Sequence, residues 1–436
     1  MFDSHKSDPI PTRTVRKQRQ QRRSIVRADI CVLGAGISGV AAALEAAKLG
    51  RNVVLADAAP AIGGQAIGSI IGTIIGLYNH QGENAFQITH GIADDLIRDL
   101  TAEGSLHRNR RFTVNFQYDE VRLARWMERK VEETGVRLLV GAILTDVAFD
   151  SRRVSHVDFA TRFGPVRVQA NGFVDASGDA NLTYAAGLEV REPEAPVYGS
   201  LNFLIENYDL ETVKGLDMTK VHAKLKETGG KYGLVRHDGW LMHFPDKNFM
   251  LANIGHIETP LDPLGAAGMV FEGRRQADGI LRFLRDEFPE IFRNARIRSY
   301  GNPGIRQTRW IVGQRQLTLT DIRNNDRPSD AVARCAWWVE LHNTNELVHW
   351  ERFADDHIYY IPLSCMVPGE ADNIIAAGRC VDADTHALSA IRVMGPCIAM
   401  GTAAAHCLDL VGSGPISEVN IQTLQARLYD NLERTD

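Results

Sequence analysis

Residues 34 to 39 read Gly34-Ala35-Gly36-Ile37-Ser38-Gly39, three glycines at the spacing GxGxxG. An apolar run, 30–33, precedes them, and an alanine-rich stretch of helical period extends from them as far as Gly50. A second apolar run ends on Asp57, eighteen residues after Gly39. Strand, tight turn, helix, strand and acid in that order predict a dinucleotide site. Gly34 permits the turn, Gly36 lets a pyrophosphate approach the backbone, and Gly39 allows the helix to pack on the strand. The helix N-terminus offers N–H groups and a partial positive charge to phosphates. Asp57 lies where a carboxylate can accept from ribose hydroxyls. The pattern serves FAD and NAD alike, so residues outside it must decide.

The elements that position this turn have an ordinary setting. The chain has 436 residues, 44% hydrophobic and 24% charged, which predicts a globular protein of two or three domains. A net charge of −5 gives no basic bias for nucleic acid or an anionic membrane. Six scattered cysteines without a CxxC pair read as reduced thiols in a cytoplasmic protein. The histidines show no metal-ligand spacing. From Thr12 to Arg27 there are seven Arg or Lys residues and no acid. The Arg22-Arg23 pair suits twin-arginine export, but Arg27 and Asp29 interrupt the apolar segment after it, so 1–27 reads as a basic flexible arm. Beyond the turn, 117–134 has Val121, Ala124, Met127 and Val131 at helical spacing. Three strand-like runs come next: RLLVGAILTDVAF, RVSHVDFAT and GPVRVQANGFVDA. Near the C-terminus a strand at 374–377 leads through Gly378-Arg379 and Asp382 to a helix at 395–408 that opens Gly395-Pro396.

These segments resemble the FAD-dependent oxidoreductase family of the glutathione-reductase-like superfamily, related to the fumarate reductase and succinate dehydrogenase flavoproteins. The resemblance rests on the glycine turn, on AAPAIGGQ just after Asp57, on FVDASGDANLTYAAG and on DNIIAAGRCVDADTHALSAIRVMGPC. It covers about half of the chain, at both ends. It implies an α/β fold: a Rossmann-like FAD domain with a parallel sheet and a β-meander, split by an inserted α+β cap. The division expected is 28–184 with 355–412 for FAD, 185–354 for the cap and 413–436 for a helical tail. It further implies that Ala58, Gly63, Gly64, Gln65, Ser69, Ala142, Ser177, Gly178, Asp179, Gly378, Arg379, Asp382, Arg392, Gly395 and Pro396 join the glycine turn and Asp57 in holding FAD. Asp179 suits a helix cap equally well, and Arg379 suits a surface ion pair.

No second strand–GxGxxG–helix unit is legible between 185 and 370. LDPLGAAGMVFEG comes nearest and lacks a preceding strand. NAD(P)H is therefore not expected as a second substrate; the acceptor would be oxygen, a quinone or a protein. The expected reaction is hydride removal from a small amine, amino acid or hydroxy acid onto flavin N5. Arg306 and Arg309, in NPGIRQTRWIVGQ, could bind a substrate carboxylate through their planar forks, or form salt bridges at a domain junction. His386 and Ser389 lie between two flavin-binding segments. His386 is the first candidate for a base, with Tyr360, its neighbour Tyr359, and His80 as alternatives. A non-redox flavin enzyme and a flavin-bearing subunit of a larger complex are the rival readings; a homo-oligomer is compatible with all of them.

One stretch invites a different reading. Residues 58–82 carry no formal charge, with Gly64, Gly68, Gly72 and Gly76 at every fourth position. That spacing suits a membrane helix with a small-residue face. Pro60, the polar end at Asn79 to Gln81, and its place directly after Asp57 oppose a span. The stretch is instead expected to run along the isoalloxazine; a packed helix face is the alternative.

Overall fold

The computed structural model describes residues 12–14, 16, 23–110, 113–244 and 247–435. At its centre five parallel strands lie in the order Ile374–Ala376, Gly172–Asp175, Ile30–Leu33, Val53–Asp57 and Arg137–Val140. The inner runs are mostly apolar because both faces are covered, with Asp57 and Asp175 at strand ends; the edge strand at 137–140 starts on exposed Arg137 and Leu138. Alternation sorts the side chains: Ile30, Val32, Val53 and Leu55 join the core under the helices, whereas Cys31, Leu33, Val54 and Ala56 join a second core. The helical side carries Ile37–Lys48 and Met394–Val411. The other side carries an antiparallel meander, Ile143–Asp150, Arg153–Thr161 and Gly164–Gln169.

Two of the long strand-like runs are each broken into two strands. Gly141, with φ +64°, turns the chain between Arg137–Val140 in the parallel sheet and Ile143–Asp150 in the meander. A turn at 170–171 does the same before Gly172–Asp175. The run patterns carry no sign of these turns beyond the glycine and an asparagine. The expected arm also ends earlier than residue 27. Ser24–Arg27 forms a strand parallel to Gly164–Gln169, and Arg23 donates to the buried Asp158 at 2.6 Å. Most of the remaining arm, including Arg22, lies outside the described residues.

The stretch at 58–82 is not one helix. Gly64–Gly68 forms a single short helix and Thr73–Ile74 a short strand. Gly72 and Gly76 have φ of +76° and +78°, a conformation that ends a helix rather than continuing it. Among the described residues one helix, Met394–Val411, has the length and hydropathy to cross a membrane, but 83% of it is buried inside the fold, as suits a core helix.

The cap has its own core. Four antiparallel strands lie in the order Trp240–His243, Phe249–Asn253, Ser200–Glu206 and Arg296–Gly304, under the helices Pro263–Glu287 and Met218–Thr228. Its buried residues run from Leu201 to Ala295. The segment LDPLGAAGM forms the start of the long helix, capped by Asp262, and the loop 254–261 separates it from the strand Phe249–Asn253. Trp310, Ile311, Ala333, Trp337 and Leu341 instead belong to the same apolar core as the glycine-turn helix. The C-terminal helices Ile421–Arg427 and Tyr429–Leu432 dock there through Leu424, Leu428 and Leu432. Buried Arg334 holds them by donating to the carbonyls of Asn431, Asp430 and Arg434.

Asn373 ties the meander to the edge of the parallel sheet. Its side chain accepts from Val154 N (2.9 Å) and donates to Val154 O (2.8 Å) in the interior, and donates to Asn171 O (2.9 Å) nearer the surface. Removing it leaves buried backbone groups unpaired. Asn373→Ala is expected to lower unfolding stability by about 2–4 kcal/mol, measured as a shift in denaturant midpoint at unchanged slope.

Candidate active site

The glycine turn closes by backbone contact, which explains its residue types. A Cβ on Gly34 would lie 2.2 Å from Ala176 O, and one on Gly39 would lie 1.8 Å from Gly34 O. Gly36 is different: a Cβ there would meet only Gly64 Cα, at 4.0 Å. The protein therefore leaves open the space in front of Gly36. The helix that starts at Ile37 has no side-chain cap, so its first N–H groups are left for a ligand. Asp57 is fixed beside the turn, with Oδ2 accepting from Ala35 N (2.5 Å) and Oδ1 from Ala59 N (2.7 Å). Ala142 N donates to the Asp57 carbonyl at 2.9 Å, and Ala58 is exposed on the rim.

Segments remote in sequence close on this turn. Gly63 N donates to Ala35 O at 2.7 Å, and the Gly64 backbone lies against Gly36. A Cβ on Gly378 would fall 2.6 Å from the Ser38 hydroxyl, and one on Gly178 would fall 2.6 Å from the Arg379 guanidinium. Arg379 donates to Asp179 at 3.4 Å, and Asp179 also accepts from Thr308 at 2.5 Å. Ser177 accepts from Asn181 N and donates to the fully buried Asp175. The helix from Met394, whose second and third residues are Gly395 and Pro396, likewise starts without a side-chain cap. Gly395 packs on the Gly76 backbone, where a Cβ would come to 2.0 Å of Gly76 O.

Other predicted residues are taken up by the protein itself. Asp382 is fully buried and accepts from Arg191 (2.8 and 3.3 Å), Gly313 N (2.8 Å) and Gln316 (3.1 Å). Gln65 Oε1 accepts from Ile305 N (3.0 Å) and Ser69 donates to Pro303 O (3.3 Å), so both hold the cap to the turn. Ser389 donates to His386 O within its own helix. Arg309 lies 4.1 Å over the exposed Tyr184 ring and donates to Asn181. Tyr360 sits under Arg327, which pairs with Glu433 of the tail. The Tyr359 hydroxyl donates to Trp337 O (2.8 Å), and burial pushes its pKa well up. His80 stacks on Trp338 at 4.3 Å, and burial lowers its pKa.

Arg306 and His386 remain on the cap–turn junction. Arg306 donates to Tyr198 O (2.6 Å) and Ser200 Oγ (3.0 Å). Burial, then the Arg392 and Arg236 guanidiniums, press its pKa well down. Adjacent Gln307 is buried and donates to Thr385 O at 2.9 Å, which brings 306 and 386 onto touching segments. His386 lines a cleft of about 610 Å³ with Arg191, Trp310, Gln316, Leu341 and Thr385. Near these segments, Arg379 Nη1, Arg392 Nε, Gln307 Oε1 and Trp310 Nε1 are buried with no hydrogen-bond partner. Buried polar atoms are rarely left so.

These features fit FAD: open space at Gly36, two uncapped helix starts, a fixed carboxylate, and buried donors without protein partners. Sequence reasoning missed Arg191, Arg236, His256, Glu340 and His342. No motif joins them; His256 and His342 are 86 positions apart. The Gly36 geometry also separates folding from binding. Gly36→Ala is expected to fold at a cost of no more than about 1 kcal/mol and to weaken FAD binding at least about tenfold. Gly39→Ala should fail to fold. Thermal unfolding and flavin fluorescence titration measure the two.

A search of curated proteins returns no match. Among solved structures, the fold is similar to a geranylgeranyl bacteriochlorophyll reductase-like protein from Thermoplasma acidophilum. The TM-score is 0.50 at 13% identity, over 94% of this chain and 85% of that one. More distant similarity extends to the myxobacterial chondrochloren halogenase CndH, with TM-score 0.47 and 14% identity over 92% of this chain and 78% of that one. It extends also to p-nitrophenol 4-monooxygenase PnpA from Pseudomonas putida, with TM-score 0.43 and 10% identity over 94% and 82%. The family model for FAD dependent oxidoreductases matches residues 29–428. With that match spanning both the glycine turn and the segments that close on it, the chain belongs to the FAD-dependent oxidoreductase family and is an FAD enzyme.

Proposed function

We propose that this enzyme is a dehydrogenase or oxidase, akin to the fumarate reductase and succinate dehydrogenase flavoproteins, that takes hydride from a small organic acid of the hydroxy or amino acid class. When bound, FAD supplies the hydride acceptor. The observation that carries the acid is Arg306, a guanidinium inside the cap–turn junction whose named partners are a carbonyl and a hydroxyl, both neutral. A half-buried cation whose fork bonds no carboxylate among the described residues favours an anionic ligand. The backbone next to Arg306 is anchored on both sides, by Gln65 through Ile305 and by Gln307 to Thr385, which holds the fork in place for orientation.

The cleft beside His386 is the approach for substrate, with Trp310 and Leu341 as apolar walls and Arg191 and Gln316 at its polar side. His386, on that wall, is the proposed acceptor for the proton that leaves with the hydride. Oxygen, a quinone or a protein would take the electrons onward.

The decisive test is an anaerobic screen of hydroxy acids, amino acids and amines against the FAD-loaded protein. Bleaching of the flavin absorption by an acid supports the reading; turnover without bleaching identifies a non-redox flavin enzyme instead. With the acid found, Arg306→Met is expected to raise KM about 10–100-fold at unchanged FAD content. Arg306→Lys should recover part of the loss, because it restores charge without the planar fork.

A further inference from the structure

Behind Arg306 two buried histidines form a chain whose protons can be counted. His256 Nε2 lies 2.8 Å from His342 Nδ1. The far nitrogen of His342 lies 3.2 Å from Glu340 Oε1, and that of His256 lies 3.3 Å from the Asn345 carbonyl. Both ends are acceptors that supply no proton. Three gaps therefore need three protons, and two neutral imidazoles bring two. The 2.8 Å gap must hold one of them, so one end gap is empty in the neutral pair. A third proton would find a hydrogen bond already positioned for it.

The surrounding charges decide whether that proton arrives. Arg236, Arg306 and Arg392 all act on the pair. Arg236 pairs with Asp238 at 2.7 Å, and Arg392 donates to the Glu340 carbonyl. The carboxylates in the cluster are Asp238 and Glu340. Three guanidiniums against two carboxylates leave one positive charge in excess while the histidines are neutral. The other faces carry charge in pairs: the Tyr198 ring stacks on His256 at 5.8 Å, Gln276 donates both to the His256 carbonyl and to Glu272, which pairs with Arg275, and Arg379 beyond Arg392 pairs with Asp179. Burial and then these arginines hold both histidine pKa values well down. An anion entering beside Arg306 removes the excess and with it the arginines' share of the opposition to a third proton, the share that burial does not set.

We propose that Arg306 binds a carboxylate together with one proton from solvent, the proton being seated on the His256–His342 pair. The inference rests on the acidic-substrate reading above. It adds that the site stores a proton next to the substrate carboxylate, and that His256 and His342 are positioning residues that set the charge around Arg306.

The test is calorimetric titration of the FAD-loaded enzyme with acetate, benzoate and succinate, in two buffers of equal pH and different ionisation enthalpy. Between about pH 8 and about pH 7 these ligands stay ionised, so bound protons belong to the protein. The expected result is uptake approaching about one proton per carboxylate bound, with affinity rising as pH falls. His342→Gln and His256→Gln are each expected to retain FAD, bind the anion more weakly and lose the uptake. If one variant does not fold, the other variant and the pH dependence of the wild-type Kd decide. Carboxylate binding without proton uptake, uptake that survives in a folded histidine variant, or no carboxylate binding by FAD-loaded protein would each overturn the proposal. FAD content and bleaching by substrate are measured on the same samples, so a flavoenzyme that reduces normally without proton-linked binding fails this inference alone.

Discussion

The close packing of two helices from opposite ends of the chain is the constraint on which the rest of the structure depends. Ile37–Lys48 follows the glycine turn, and Met394–Val411 lies more than three hundred residues later. A Cβ on Gly401 would fall 2.3 Å from Ser38 O and 3.1 Å from the Ala41 Cβ. Only small residues permit that approach, and both helices supply them in runs of alanine and glycine. Glu45 meets His406 at 3.0 Å farther along the pair, and Arg51 reaches Asp409 at 2.5 Å. Because the second helix is locked to the first, Gly378 and Arg379 are carried to Ser38 and Gly178, and one cofactor site forms from segments that share no local structure.

The cap depends on the same lock at one remove. Its strand Arg296–Gly304 rests on the segment after Asp57 through Gln65 and Ser69, and the residues just beyond that strand reach the C-terminal half through Gln307. Arg306 sits between these two anchors. Asp382 performs a related task with charge: a fully buried carboxylate gathers Arg191, Gly313 and Gln316. Breaking such a buried pair would leave an uncompensated charge, whereas keeping it fixes how the 310–316 segment meets the strand end. Arg191 and Gln316 then line the cleft, so the network that seals the domain junction also shapes its opening.

Much of the cofactor half was legible in the amino-acid sequence. The order of strand, glycine turn, helix and acid is local, and each residue type there answers a backbone requirement that repeats wherever the unit occurs. The strand–helix segment near the C-terminus is legible for the same reason, as is the meander apart from its turns at Gly141 and 170–171. The four glycines after Asp57 show where local pattern runs out. Their spacing fits a helix face, but Gly72 and Gly76 take positive φ, at places where a Cβ would meet Leu251 and Phe244 in one case and Val393 and Pro396 in the other.

The sequence by itself determined the family, the FAD enzyme and the place of the glycine turn, because these depend on several short motifs, each legible from short-range order in its own stretch at one end of the chain or the other. Tertiary structure alone decided which polar residues are spent and which are free. Arg309 and Ser389 carry the right chemistry and are turned to other partners, while Arg236, His256 and the neighbours Glu340 and His342 gather around Arg306 from three places in the chain. A charge acquires its role from the dielectric and the neighbours around it, and neither exists until the cap closes on the sheet.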